Sequence, residues 1–559
     1  MNPAELAARL RSGENFEGAS LDGVDLRGQD LGAARLAKAK LTRMRLDGAI
    51  LRGADLSEAR IVETSFADAD LSGANLKDTG LLRVSFEGAN LTSAYLRNAA
   101  MSRANLARSR LAGADLTEAV FEDADLSGAD LKGAVLVRTT LLGANLTGAL
   151  LGGARLEQAV LAGAKLVRAN LEGATLDMVI FREADLRGAR LPRSLSKCQL
   201  DQAILSARDR LREDGTTLPA EEGEAERADL AGRDLFFASL RGVCLRDARL
   251  SGANLEMTDL SGCDLTGADL AGANLKRTIL QGAKLVLVNL AGQDLEMTAL
   301  TEADLSGANL EGARLVMTQL DRAVLAGTVL SHAFLWGASV REANLEGAKI
   351  ERTTWKTVDF GGMDLRNLRL AGLSMHRCSF FKSNLRGMNL AGCDFTHADF
   401  TDADLSGAKL TNATATQACF ARTRLETTDL SGLQAKGAFF GDAAASGARF
   451  TGGRLRHATF TGAEAGFAHF GGADLRETLW VRSKAKGAIF GGAKLSHADF
   501  SHADVREADF STTNLSHANL HNVRDSGALF VGANLLGVRR TDVDRLEAEA
   551  YRPPPREGA

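Results

Sequence analysis

The stretch "GANLEMTDLSGCDLTGADLAGANL" spans residues 252–275 and places leucine at Leu255, Leu260, Leu265, Leu270 and Leu275. A helix, with 3.6 residues per turn, would scatter residues five apart around its surface. A strand, with a period of two, would alternate them between faces. Neither element can use this spacing. A chain that turns a corner every five residues can point each leucine inward. Glycine two after a leucine suits such a corner, because it accepts positive φ without a steric cost. The residue two before each leucine, mostly alanine, is small enough to let neighbouring backbones approach.

The pattern extends far beyond this segment. From Phe16 to Leu191, all 36 positions at this spacing are Leu, Ile, Phe or Met. A second run, from Leu230 to Leu535, has large apolar residues at 56 of 62 centres. Its exceptions are Ala415, Ala435, Ala445, Ala465, Ala485 and Asp525. Leu255, Leu275, Leu295 and Leu315 are followed by "EMT", "KRT", "EMT" and "VMT" in place of the usual x-Gly-Ala. That departure recurs every 20 residues, so four five-residue sides make one turn. The spacing predicts a square β-solenoid. All six prolines stand outside the runs, at Pro3, Pro192, Pro219 and Pro553 to Pro555, as a ladder that needs every backbone donor requires.

Tandem A(D/N)LxG units of this kind closely resemble the pentapeptide repeat proteins. The resemblance implies an all-β fold, a right-handed quadrilateral β-helix, and covers nearly all of 16–191 and 230–535.

The expected organisation has five parts. Residues 1–14 form a capping helix, with Asn2 as N-cap and Pro3 at the first helical position. Residues 15–195 are a first solenoid, 196–227 a helical cap and acidic linker, and 228–537 a second solenoid. Residues 538–559 are a C-terminal cap and disordered tail. The helix of the middle part rests on Leu200, Ala203, Ile204, Ala207 and Leu211 at helical spacing.

Formal net charge is −4, with 37 basic and 37 acidic residues after position 229, so no basic footprint for nucleic acid is present. No apolar run is long enough to cross a bilayer, and "MNPAELAARL" lacks the form of a secretory signal. Six scattered cysteines suit a reducing compartment. A cytoplasmic protein is expected, with non-classical secretion as an alternative route.

Catalytic residues, cofactors and metals are not expected. "MHRCSFFKSNLRGMNLAGCDFTHADF" offers His376, Cys378, Cys393 and His397 at a spacing like that of a zinc module. However, both cysteines stand two before a centre and face inward, while both histidines face outward. His457, His497 and His517 stand two after a centre on one side, where any polar residue is tolerated. The ladder Thr258, Thr278, Thr298 and Thr318 faces inward, which removes a flat Thr-rich binding face.

Outward aromatics are rarer. Phe334 and Trp336 flank Leu335, and Phe237, Phe381, Phe439 and Phe467 also stand off-centre. Of these, Phe334, Trp336, Phe467 and Phe237 are the expected contacts for a protein partner. The favoured reading is a non-enzymatic, bacterial protein-interaction scaffold. Likeness to long two-run members of the family encoded beside type VI secretion systems makes an accessory or effector-associated role its context. The alternative implied by the resemblance is a DNA mimic that protects DNA gyrase, which needs a long negative face that net charge does not supply.

Finally, the absence of a large centre at Ala465 is a packing choice. Phe360 through Phe500 at 20-residue spacing occupy one wall and Phe450 through Phe530 the opposite one, so two rings per coil replace one leucine.

Overall fold

In the computed structural model, residues 2–206 and 227–551 are described. They fall into two compact units, Met1–Asn289 and Leu290–Ala559.

The first unit opens with α1 (Pro3–Arg11). The Asn2 side chain accepts a hydrogen bond from the Ala4 N–H at 3.1 Å, and Leu6, Ala7 and Leu10 are buried. Strands β1 (Ser20–Asp22), β2 (Lys40–Thr42), β3 (Arg60–Val62) and β4 (Gly80–Leu82) then form a parallel sheet in sequence order. Leu21, Leu41, Ile61 and Leu81 stand opposite one another, 20 residues apart. The other sides are joined by single bridges with the same offset, such as Asp25 to Arg45 and Asp30 to Ile50.

Each letter of the repeat has a structural reason. The centre donates its N–H to the next coil, as Leu26 does to the Arg45 carbonyl at 2.8 Å. The residue two after the centre has positive φ, 64° at Gly28 and 58° at Lys38, so glycine is favoured but not obligatory. Asp or Asn one before the centre caps the corner: Asp25 Oδ1 accepts the Arg27 N–H at 3.2 Å. The residue two before faces inward and is buried, whether Ala34, Ala39 or a threonine. Thr258 Oγ1 donates to the Leu235 carbonyl at 2.7 Å, satisfying its hydroxyl inside the coil. This is a right-handed quadrilateral β-helix.

The helix expected from Leu200 onward does not form over its described part. Leu195, Leu200 and Leu205 are buried coil centres, and Ala203 fills the inward slot before Leu205. Gln199 bridges both Ile180 and Ser239, and Ser194 bridges Asp234. The coils before and after 207–226 therefore pair directly, and the solenoid is not interrupted where a linker was expected. Ala207, Leu211 and the acidic stretch lie outside the described residues. One side, Leu191 to Leu195, is a residue short, which shifts the repeat frame.

In the second unit, β5 (Arg314–Val316), β6 (Phe334–Trp336), β7 (Thr354–Lys356) and β8 (Ser374–His376) form another parallel sheet at 20-residue register. Farther on, two aromatic columns fill the core. Phe420, Phe440 and Phe460 stack at 4.7 Å between centroids, and Trp480 follows at 4.2 Å. Phe450, Phe470 and Phe490 stack on the facing wall at 4.8 and 5.1 Å. The columns meet edge to face, Phe460 against Phe470 at 5.7 Å. Ala445, Ala465 and Ala485, between them, are fully buried.

Helix α2 (Val543–Ala550) begins at the N-cap Asp542 but buries none of its residues. It does not cover the last coil as a cap would, and Leu536 there stays 69% exposed. Residues 552–559 lie outside the described set.

Because rings from both walls already occupy the space around Ala465, Ala465→Leu overfills the coil. We expect a loss of about 1–3 kcal/mol in denaturant unfolding, whereas an unchanged midpoint would show spare volume.

Candidate protein-interaction surface

Inward slots of a coil are fixed by volume, so variation with consequence for binding lies outside. On β5 to β8 the residues flanking each centre form two outward columns. Arg314 pairs with Phe334 and then Thr354; Val316 pairs with Trp336 and then Lys356. Phe334 and Trp336 thus share one wall, on either side of buried Leu335. The corner backbone extends the apolar area. The Met297 N–H donates to the Val316 carbonyl at 2.8 Å and the Met317 N–H to the Trp336 carbonyl at 2.7 Å. Met297 and Met317 are both exposed, and Trp336 is 45% exposed. A Cβ placed on Gly337 would meet Met317 Sδ at 2.7 Å, so the thioether lies across that glycine.

The edges are charged. Arg314 bonds Asp294 and Glu296, both at 3.0 Å. Lys356 Nζ lies 5.2 Å from the centroid of the Trp336 ring. The result is an apolar patch of exposed Met297, Met317 and Trp336 with half-buried Phe334, and a charged rim; Val316, in the column of Trp336, is buried.

Phe237 and Phe467 do not join this patch. Phe237 belongs to the first unit, beside Phe236 at 6.3 Å, and is 58% exposed. Phe467 follows the centre Ala465 on a different wall of the second unit, 63% exposed. Its ring lies over Gly487, where a Cβ would approach to 2.6 Å. The sequence reading missed Met297 and Met317 as surface residues. The signal was present in "EMT" and "VMT", which served only to count the turn.

Inward cysteines have little reactivity. Cys378 and Cys393 are buried, with thiols pushed up to about 12 and about 11 by burial. Cys393 Sγ bonds the Leu370 carbonyl at 2.9 Å. His376 and His397 contact each other outside, edge to face at 5.6 Å. His497 and His517 stack at 5.0 Å.

Among the described residues, His502, His521 and Glu549 form one group able to hold a metal ion. His521 Nδ1 accepts the Asp542 N–H at 3.2 Å, which places the ring proton on Nε2. That nitrogen points at Glu549 Oε2, 3.3 Å away, as does His502 Nε2 at 3.0 Å. The His521 nitrogen needed for a metal is thus a hydrogen-bond donor, and the group fastens α2 to the last coils. No described helix is long and apolar enough to cross a membrane.

The family profile of pentapeptide repeats matches overlapping stretches within 15–206, 244–316, 318–354 and 440–524. A related profile, a pentapeptide repeat region, matches 353–430. No curated protein matches the chain. Among solved structures, HetL from the cyanobacterium Nostoc, a pentapeptide repeat protein involved in heterocyst differentiation regulation, is 29% identical. That match covers 50% of this chain and 97% of HetL, with a TM-score of 0.19. Trypsin-treated QnrB1, a plasmid-mediated fluoroquinolone resistance protein, is 18% identical over 36% of this chain and 99% of its own, with a TM-score of 0.23. A pentapeptide repeat protein of the Arabidopsis thaliana thylakoid lumen is 28% identical over 21% of this chain and 72% of its own, with a TM-score of 0.17.

Burial of the thiols predicts their chemistry. Iodoacetamide at mildly alkaline pH should leave Cys198, Cys263, Cys378 and Cys393 unmodified in the folded protein and alkylate all four after unfolding, read by peptide mass mapping. Rapid native labelling of Cys378 would contradict the inward placement.

Proposed function

The chain belongs to the pentapeptide repeat family, and we propose that it is a non-catalytic bacterial scaffold that binds a protein partner through the Trp336 wall. The observation that carries this reading is the patch of Met297, Met317, Phe334 and Trp336, apolar at its centre and charged at its edge. Aromatic and methionine side chains within a polar rim are the composition of protein-binding surfaces. Likeness in sequence to long family members near type VI secretion genes makes a component or effector of that apparatus the partner we favour.

Mimicry of DNA before gyrase has less support. A mimic needs uncompensated carboxylates in a long row. Here acidic side chains meet a base one coil on: Asp402 with Arg422, Glu302 with Arg322 and Glu464 with Lys484, each at 2.7 Å. Such exposed pairs add little stability, yet they neutralise the walls.

The test is capture from the bacterial host with chemical crosslinking. A secretion component should crosslink at Lys356, beside Trp336, and be lost with Phe334→Ser/Trp336→Ser while thermal unfolding stays unchanged. Crosslinks elsewhere, or equal capture by the double variant, would remove the patch from consideration. Capture of gyrase subunits would favour the mimic.

A further inference from the structure

Among the described residues of the second unit, the ladder opens around the coil of Leu365 and Leu370: the Leu370 N–H does not reach the Asn389 carbonyl of the following coil, and the wider break faces the coil before it. Leu345, Gly347, Ile350 and Arg352 should give their N–H groups to carbonyls of Asp364, Arg366, Arg369 and Ala371, by the offset kept elsewhere. None of these bonds forms, nor do those from the Asp364 and Arg369 N–H groups to the Ala343 and Ala348 carbonyls. The coil remains joined on its other two sides, by β6 to β7 and by the bridge from Ser339 to Asp359. Between the parted sides lies a cleft of about 690 Å³, lined by Lys349, Ile350, Arg352, Asn367, Arg369 and Leu373 among others.

The cause lies in the inward slots. Two before each centre, where Ala is usual, this coil carries Val358, Met363, Leu368 and Leu373 in succession. All but Leu368 are buried, and the extra methylenes hold the coil away from its neighbour. Trp355, buried in the adjoining side, also has an indole N–H without a partner, whereas Trp480 Nε1 reaches Thr478 Oγ1 at 3.0 Å.

We propose that this cleft binds an extended acidic peptide segment of a partner protein, inserted as an extra strand between the two coils. Each lip offers both free N–H and free C=O groups, which only another peptide backbone can satisfy in alternation. A nucleic-acid backbone supplies acceptors and would leave the carbonyls unpaired. Charge selects the acidic sequence. Lys349, Arg352 and Arg369 lie along the side of centres Ile350 and Leu370, and among the described residues none of them has a carboxylate within 4.0 Å. Glu351, also on this side, is held below its usual range chiefly by its own backbone N–H and then by the Ser331 hydroxyl, with Lys349 and Arg369 adding a weaker attraction that leaves both bases available to a further carboxylate. Glu346 stands beside the adjacent opened side, so the acidic residues should bind along the Ile350 side. The inference rests on the scaffold reading only in taking the ligand to be protein, and the cleft is separate from the Trp336 patch.

The experiment uses the full chain and a blocked peptide of alternating glutamate and valine, followed by amide hydrogen exchange and fluorescence anisotropy. The amides of Leu345, Gly347, Ile350 and Arg352 should exchange fast alone and slow by about tenfold or more with this peptide. A lysine–valine peptide should bind at least about tenfold more weakly, as should the Arg352→Glu/Arg369→Glu variant toward the acidic peptide. Met363→Ala/Leu368→Ala/Leu373→Ala should restore the small inward slots, close the ladder, protect those amides without peptide and abolish binding. Trp336→Ser should bind the peptide like the wild type, which separates failure of the patch from failure of the cleft. Equal binding of the lysine peptide, protection by oligothymidylate instead, or no protection by the acidic peptide would each overturn the proposal.

Discussion

Every coil must close on itself in four sides while exchanging backbone hydrogen bonds with the coils on either side of it. That double requirement governs the structure. Closure fixes how much volume the inward side chains can occupy, and the ladder fixes the distance to the next coil. A leucine centre with an alanine before it meets both conditions. So does an aromatic pair on facing walls with Ala465 between them, because the sum over the coil is preserved. Where the sum is exceeded, at Met363, Leu368 and Leu373, the ladder gives way first.

Much of this was legible in the sequence, because each constraint falls on a single recurring position. The spacing of Leu255 to Leu275 gives the corner, the 20-residue recurrence of "EMT" gives the turn, and Thr258 is readable as an inward hydroxyl. The middle was misread for a physical reason. Leu200, Ala203 and Ile204 fit a helical stripe, yet the same letters fit a centre, an inward slot and an outward residue of a coil. The four-residue side from Leu191 to Leu195 resembled the end of a run. From Leu205 to Leu230 the count remains a multiple of five, so counting alone cannot separate inserted chain from continuing coil.

The surface was less legible, since nothing in the repeat constrains it. Phe334 and Trp336 were visible as outward aromatics, but Met297 and Met317 meet them only through the coil-to-coil register. Phe237 and Phe467 satisfy the same sequence criterion and lie elsewhere. The opened ladder left a trace as well, in successive bulky residues two before the centres, but a reading that follows the centres passes over them.

A stack in which each coil touches only its neighbours behaves as a one-dimensional chain of interfaces, with cooperativity passed from link to link. Within the second unit, the link between the coils of Ile350 and Leu370 retains two sides of four. It is the weakest coupling in that series and therefore its mechanical hinge. Bending concentrates there, and tension applied along the unit would part the stack at this plane while the interlocked phenylalanine columns beyond it stay whole.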